Sequence, residues 1–158
     1  MTVGAEVILT DLDEQLDLCT LNAERNESIV KASCGNVTVL ELDWTQPLSE
    51  EILHTLPLDV VLCSDIAWHV VTEHVETQWI KALDQLCGQH TIVIHIYEPR
   101  GADESHLMYL AKDIFNVQKI DDRHLDYSRL NRMFYPLVLH VLSKNKKRLE
   151  IFKHLLED

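Results

Sequence analysis

The chain has 158 residues, of which 46% are hydrophobic and 25% charged, a size and composition that suit one globular domain spanning residues 1–158. Its formal net charge is -12, from 14 basic and 26 acidic residues. This balance argues against nucleic acid as the main partner, because phosphate binding needs clustered Lys and Arg. No apolar run approaches the roughly 18 residues that span a membrane, so no membrane partner is expected.

The four cysteines, Cys19, Cys34, Cys63 and Cys87, are too far apart in the sequence to form a CxxC pair. A zinc knuckle or a thioredoxin-type site is therefore not expected. The first 15 residues carry several acids and no basic segment, unlike a secretory signal peptide. These features predict a reducing compartment, the cytoplasm or also the nucleus.

Strand-like and helix-like patterns alternate along the chain. In chain order they are strand 7–10, helix 12–26, strand 37–42, helix 49–56, strand 59–64, helix 70–86, strand 91–97, helix 107–115, strands 117–120 and 137–142, and a helical tail at 149–156. The continuous apolar run at 59–64 is typical of a strand buried on both faces. The alternation predicts an α/β fold with a doubly wound, mostly parallel sheet. The last two strands, with no helix between them, predict an antiparallel hairpin at one edge.

Polar side chains follow four consecutive predicted strands at the point where each strand ends. They are Asp11 with Asp13, Asp43 with Trp44, Ser64 with Asp65, and residues 98–100. In open α/β sheets, ligands bind outside the carboxyl ends of the strands. The sequence therefore predicts a ligand site at this edge, although a single strand-terminal Asp is more often a helix cap.

Three segments carry a resemblance to a known family. They are VILTDLDEQLDLCTLNAERN at 7–26, ELDW at 41–44 and DVVLCSDIAW at 59–68. In order and spacing they resemble the class I S-adenosylmethionine-dependent methyltransferases, and more narrowly the methyltransferase-21-like protein-lysine methyltransferases of non-histone proteins. The resemblance implies a Rossmann-like fold in which residues 7–143 supply the second to the seventh strand. It also implies S-adenosylmethionine as cofactor and a lysine-bearing, non-histone protein as substrate.

The same resemblance implies roles for individual residues. Asp11 would hold the cofactor's ribose hydroxyls, since two acceptor oxygens can take two vicinal donors. Trp44 would pack against the adenine, and Ser64 would be the small residue that lines the cofactor pocket. Asp65 and Trp68 would form the family's Asp-x-x-Tyr motif beside the methyl-transfer site, with Asp65 orienting the amine. This chain has Trp68 where the family has Tyr, and an indole has no acceptor oxygen.

The family's first strand and its glycine-rich loop correspond to nothing in this sequence. Only six residues precede Val7, and the chain's four glycines form no GxG motif. The absent strand is the central one of the family's sheet. We therefore expect the strands at 7–10 and 59–64 to pair with each other or to leave backbone groups open. We also expect S-adenosylmethionine to bind weakly or not at all.

Other functional classes compete with this interpretation. Asp11 and Asp13 also suit the nucleophile and the acid/base of a haloacid-dehalogenase-type phosphohydrolase. Gln15, however, stands where that family has Thr or Val. The family also needs an acidic pair for Mg²⁺ after a later strand, and here only Asp121–Asp122 could supply it. A metal site is not expected, because His69 and His74 are five residues apart and do not share a helix face. A third possibility is an inactive fragment or pseudoenzyme that only binds proteins.

Overall fold

The structure is a computed structural model that describes residues 4–101, 104–120 and 137–150. Its elements are, in chain order, β1 (Glu6–Asp11), a 3-10 turn (Asp13–Gln15), α1 (Leu16–Ala32), β2 (Asn36–Glu41), α2 (Glu50–Leu53), β3 (Val60–Ser64), α3 (Ala67–Thr72), α4 (Glu76–Leu86), β4 (Ile92–Tyr97), α5 (Glu104–Ala111), β5 (Asn116–Ile120) and β6 (Val138–Ser143). Residues 146–150 are also helical, and the rest of the tail predicted at 149–156 lies outside the described residues. The chain divides into two compact units, Met1–His54 and Thr55–Asp158. That residues 1–158 form a single domain stays a prediction.

The first unit is one βαβ crossover. Strands β1 and β2 run parallel, with Glu6 opposite Asn36 and Asp11 opposite Glu41, and α1 connects them. The predicted end of this helix near residue 26 is wrong. The helix continues for nearly two more turns to Ala32, supported by an ion pair of 2.6 Å between Glu27 and Lys31 at i,i+4 spacing.

Helix α1 ends in a Schellman motif. Cys34 adopts a left-handed φ of 57°, and the Gly35 N–H donates to the Val30 carbonyl at 3.0 Å. A side chain at position 4 would collide with the Cys34 carbonyl. The segment that leads into β1 runs so close to the end of α1 that only glycine fits at this position. The glycines of this unit thus serve the backbone's close approach at the helix end.

The second unit contains a four-stranded sheet in the order β3-β4-β6-β5. Strands β3 and β4 are parallel, and β6 pairs antiparallel with both β4 and β5. The predicted antiparallel pairing of the last two strands at one edge of the sheet is confirmed, and the segment that connects them lies outside the described residues. With its parallel crossovers and its mixed α/β order, the chain has the predicted Rossmann-like fold class.

Strand β4, and not β3, is the buried strand of this sheet. Ile92, Val93 and Tyr97 are each at most 5% exposed, whereas Val60 and Leu62 of β3 are 50% and 74% exposed. The prediction that 59–64 is buried on both faces is therefore wrong, because β3 is an edge strand. Among the described residues, β3 pairs only with β4, and β1 pairs only with β2. The strands β1 and β3 were expected either to pair with each other or to leave backbone groups open, and the second alternative applies.

The helix predicted over 70–86 is divided in two. Helix α3 ends where His74 takes a left-handed φ of 56° and the Val75 N–H donates to the Val70 carbonyl at 3.0 Å. This second Schellman motif forms without a glycine, so composition gave no sign of it. Two other helices also differ from their predicted bounds, α2 ending earlier at Leu53 and α5 covering 104–111 instead of 107–115.

Two histidines lie side by side in the core of the second unit. His95 on β4 is opposite His140 on β6, and the rings of Trp79, His95, Tyr97 and His140 follow one another with centroids 5.1–6.0 Å apart. Burial lowers the pKa of each imidazole to about 4, helped at His95 by the neighbouring His140. Both rings are therefore neutral near pH 7.

Acidification is expected to destabilise this core. Unfolded histidines titrate near pH 6.5, whereas these two stay neutral in the folded state until about pH 4. As pH falls from 6.5 to 4, the two histidines become protonated in the unfolded state but stay neutral in the folded state. The free energy of unfolding therefore decreases by up to about 1.4 kcal/mol per pH unit for each histidine.

Urea denaturation of His95→Phe between pH 7.5 and 4 measures this contribution. The variant keeps a planar ring beside Trp79 but cannot titrate, so its stability should change less with pH than that of the wild type. His90→Gln, at an exposed turn, is the matched control and should retain the wild-type slope. Equal slopes for wild type and His95→Phe would contradict the assignment.

Candidate functional site

Asp11 is the last residue of β1 and is solvent-exposed. Its Oδ1 accepts the N–H of Leu12 at 2.8 Å. Leu12, not Asp11, precedes the 3-10 turn, and neither that turn nor α1 has a side-chain cap. The helix-cap explanation for this acid is therefore excluded, and Oδ2 accepts no hydrogen bond from a described residue.

Trp44 lies at the same edge of the two-stranded sheet. The register places Asp11 opposite Glu41, and Trp44 follows three residues after Glu41, half-buried. The intervening Asp43 builds the turn, because its Oδ1 accepts both the N–H of Thr45 at 2.8 Å and the Thr45 hydroxyl at 2.7 Å. Since the strands are parallel, the structure brings Asp11 and Trp44 to one carboxyl edge.

This edge fits one end of S-adenosylmethionine. A free carboxylate oxygen can accept ribose hydroxyls, and an indole offers a flat apolar contact for adenine. The described residues contain no glycine-rich loop that would let a cofactor approach the backbone. The residues present therefore suit the nucleoside of the cofactor, and none of them takes the place of that loop.

In the second unit, the last residue of β3 is Ser64, Asp65 follows it in the turn, and Trp68 lies in α3. Ser64 ends the strand with its side chain exposed, and Trp68 stands in the first turn of α3, 39% exposed. Its neighbours Ala67 and Val70 are fully buried. The buried Ala67 and Val70 side chains hold α3 against the core, and the Trp68 indole is partly exposed to solvent.

Asp65 connects the ends of two strands. Its N–H donates to the Ile96 carbonyl at 2.7 Å, and its Oδ1 accepts the N–H of Glu98 at 3.3 Å. Its Oδ2 accepts from the guanidinium of Arg100, and both side chains are 42% exposed. The residue also has a left-handed φ of 57°. Such strain in a non-glycine residue is concentrated at functional sites.

Arg100 is the residue for which the sequence suggested no role. It was visible as part of the polar group at residues 98–100, after a strand that neighbours β3. Its ion pair with Asp65 changes what that carboxylate can do, because a lysine entering this turn would meet a guanidinium as well as an acid. Whether Asp65 orients an amine stays a prediction.

The buried cysteines are unsuited to chemistry. Burial raises the pKa of the Cys63 thiol to about 12 and that of Cys87 to about 11, so both remain protonated. In residues 4–101, 104–120 and 137–150, no group of three His, Cys, Asp or Glu side chains is placed to hold a metal ion, and no helix there has the length and apolarity of a membrane span. The pair Asp121–Asp122, which a phosphohydrolase would need, lies outside the described residues.

Comparison with known proteins gives a family and a fold. Residues 1–114 match the family model of lysine methyltransferases. Protein-lysine methyltransferase METTL21E of Mus musculus is 28% identical over 121 residues, or 75% of this chain and 47% of the relative. The chain thus spans about half the length of this curated relative.

Solved structures that are similar in fold include two Pyrococcus proteins. The PH0226 protein of Pyrococcus horikoshii has a TM-score of 0.59 at 14% identity, covering 87% of this chain and 71% of its own. A methyltransferase of Pyrococcus furiosus has a TM-score of 0.58 at 12% identity, covering 89% and 63%. At these identities the likeness supports the fold alone.

Substitution of Asp65 separates its backbone role from its charge. Asp65→Asn and Asp65→Ala both remove the carboxylate that pairs with Arg100, but Asn tolerates a left-handed φ and Ala does not. We expect Asp65→Ala to be less stable than Asp65→Asn by about 1 kcal/mol in urea denaturation. The same two substitutions at the exposed Asp113, where φ is not positive, should differ little. Equal stabilities of Asp65→Ala and Asp65→Asn would show that the left-handed conformation at position 65 carries no strain.

Proposed function

Because the chain belongs to the lysine methyltransferase family, we propose that it acts as an S-adenosylmethionine-dependent protein-lysine N-methyltransferase on a non-histone protein. The match over residues 1–114 is the observation that carries the proposal. The exposed turn that holds Asp65 and Trp68 supports it, because that turn presents an acid and an aromatic face to solvent. S-adenosylmethionine supplies a methyl group activated by a positively charged sulfur.

The first unit would hold the cofactor's nucleoside. Asp11 accepts hydrogen bonds from the two ribose hydroxyls, and the free Oδ2 makes this possible without disturbing the Leu12 N–H. Trp44 packs against the adenine. Both contacts bind and orient the cofactor and take no part in moving the methyl group.

The turn after β3 would handle the lysine. Methyl transfer requires the neutral amine, whose lone pair must be aligned with the methyl carbon. Asp65 accepts a hydrogen bond from the amine and orients it. The ion pair with Arg100 offsets the attraction that the Asp65 carboxylate alone would exert on a charged ammonium. Trp68 supplies an aromatic wall for the lysine's methylenes, and it cannot fill any role that needs a phenol oxygen.

Weak cofactor binding is part of the proposal. The nucleoside contacts of Asp11 and Trp44 lack the backbone cradle that a glycine-rich loop provides. Calorimetric titration of the chain with S-adenosylmethionine should give a dissociation constant weaker than about 1 μM. Micromolar or tighter binding would contradict this part of the proposal and leave the proposed activity intact.

Radiolabelled S-adenosylmethionine tests the activity itself. Incubated with the full chain and a cell extract, it should label proteins, and acid hydrolysis should release the label as methyl-lysine. If no labelled lysine is found but a protein from the extract stays bound to the chain, the result would favour the alternative of an inactive protein-binding module.

Asp11→Asn tests the ribose contact. Loss of a charge-assisted hydrogen bond is worth about 1.5–3 kcal/mol. S-adenosylmethionine binding should therefore weaken at least about tenfold. Asp13→Asn is the matched control, since this exposed acid lies two residues further on in the 3-10 turn, and it should bind as the wild type does. Equal weakening in both variants would show a general charge effect and remove the assigned role of Asp11.

A further inference from the structure

A cavity of about 470 Å³ opens in the second unit, lined by none of the five residues predicted for methyl transfer. Its floor is one face of β4, β6 and β5, and its wall is α5. On the floor, Tyr97 lies opposite Val138 and Lys119 opposite His140. On the wall, Ser105, Met108 and Tyr109 recur at helical spacing. The volume lies in the range of small-molecule sites.

The described lining of the cavity carries positive charge in a strongly acidic chain. Lys112 and Lys119 line it, whereas none of its described lining residues is Asp or Glu, although the chain's net charge is -12. Neither lysine forms an ion pair with a described residue. Both ammonium groups are close enough to His140 to lower the pKa of its imidazole further, after burial, the main cause. Two lysines that form no ion pair with a described residue thus line the same cavity as the neutral His140 ring.

His140 also has unused hydrogen-bonding capacity. The residue is 8% exposed, and its Nδ1 has no hydrogen-bond partner among the described residues. Its ring stacks at 12° on Tyr97, and Tyr109 on the opposite wall is 67% exposed. The cavity therefore combines aromatic surfaces, two ammonium groups and an imidazole.

We propose that this cavity binds a small phosphomonoester with an aromatic or apolar body. The phosphate would lie between the Lys112 and Lys119 ammonium groups, which match its two negative charges, beside the neutral His140 ring that lines the floor. The body would pack on Tyr97 and Tyr109. A carboxylate carries half that charge and fits less well. The proposal does not depend on methyl transfer.

Calorimetry with four probes tests this assignment on the full chain. Phenyl phosphate should bind saturably below about 1 mM. Benzoate has the ring with one negative charge, benzyl alcohol has the ring without charge, and inorganic phosphate has the charge without the ring. Each of the three should bind at least about tenfold more weakly. Equal binding of benzoate would overturn the phosphate assignment, and equal binding of inorganic phosphate would overturn the aromatic contact.

Charge variants locate the binding. Lys112→Gln and Lys119→Gln each remove one exposed ammonium group from the cavity, and each should weaken phenyl phosphate binding at least about tenfold. Lys147→Gln makes the same change of net charge on the exposed helical segment 146–150, away from the cavity lining, and should have no effect. An equal loss in all three variants, or no saturable binding by the wild type, would overturn the proposal.

Discussion

Strand β4 is held along both edges, by parallel β3 and by antiparallel β6, and this double pairing positions the turn at Asp65 and the pair His95–His140. On one edge the ladder continues past the end of β3, where the Asp65 N–H donates to Ile96. That bond brings the Asp65 carboxylate to Glu98 and Arg100. On the other edge the register sets His140 opposite His95. A slip of one residue would turn all of these side chains to the opposite face.

Buried polar groups fix the start of this strand. The Thr91 hydroxyl donates to the Leu58 carbonyl at 2.6 Å and accepts the Gly88 N–H at 2.9 Å. From the last residue of β6, the Ser143 hydroxyl donates to the Thr91 carbonyl at 3.1 Å. Both residues are at most 1% exposed. Because these groups are fully removed from water, they hold the register of β4 against both neighbours.

Much of the fold was predictable, because strand and helix periodicities, and the lack of a helical pattern before the last strand, are local properties of the sequence. The family and the positions of Asp11, Trp44, Ser64, Asp65 and Trp68 at strand ends were also open to sequence analysis. The division of the helix at His74 was not, since no glycine marks its left-handed residue. Nor was the exposure of β3, because its apolar composition cannot indicate which neighbours a strand has.

The chemistry of the candidate site was less predictable than its location. The ion pair between Asp65 and Arg100 joins residues 35 positions apart, and only the parallel pairing of β3 and β4 brings them together. The cationic cavity is equally non-local, since Lys112, Lys119 and His140 come from three separate elements. In the sequence they are unremarkable basic residues in an acidic chain.

The exposed edge of β3 has a consequence for how copies of this protein behave in concentrated solution. An edge strand with apolar side chains such as Leu62, 74% exposed, is a template for edge-to-edge association. A net charge of -12 opposes that association by repulsion between copies. The repulsion extends only about 8 Å at physiological ionic strength and less in stronger salt. Raised ionic strength is therefore expected to favour association of copies through this edge.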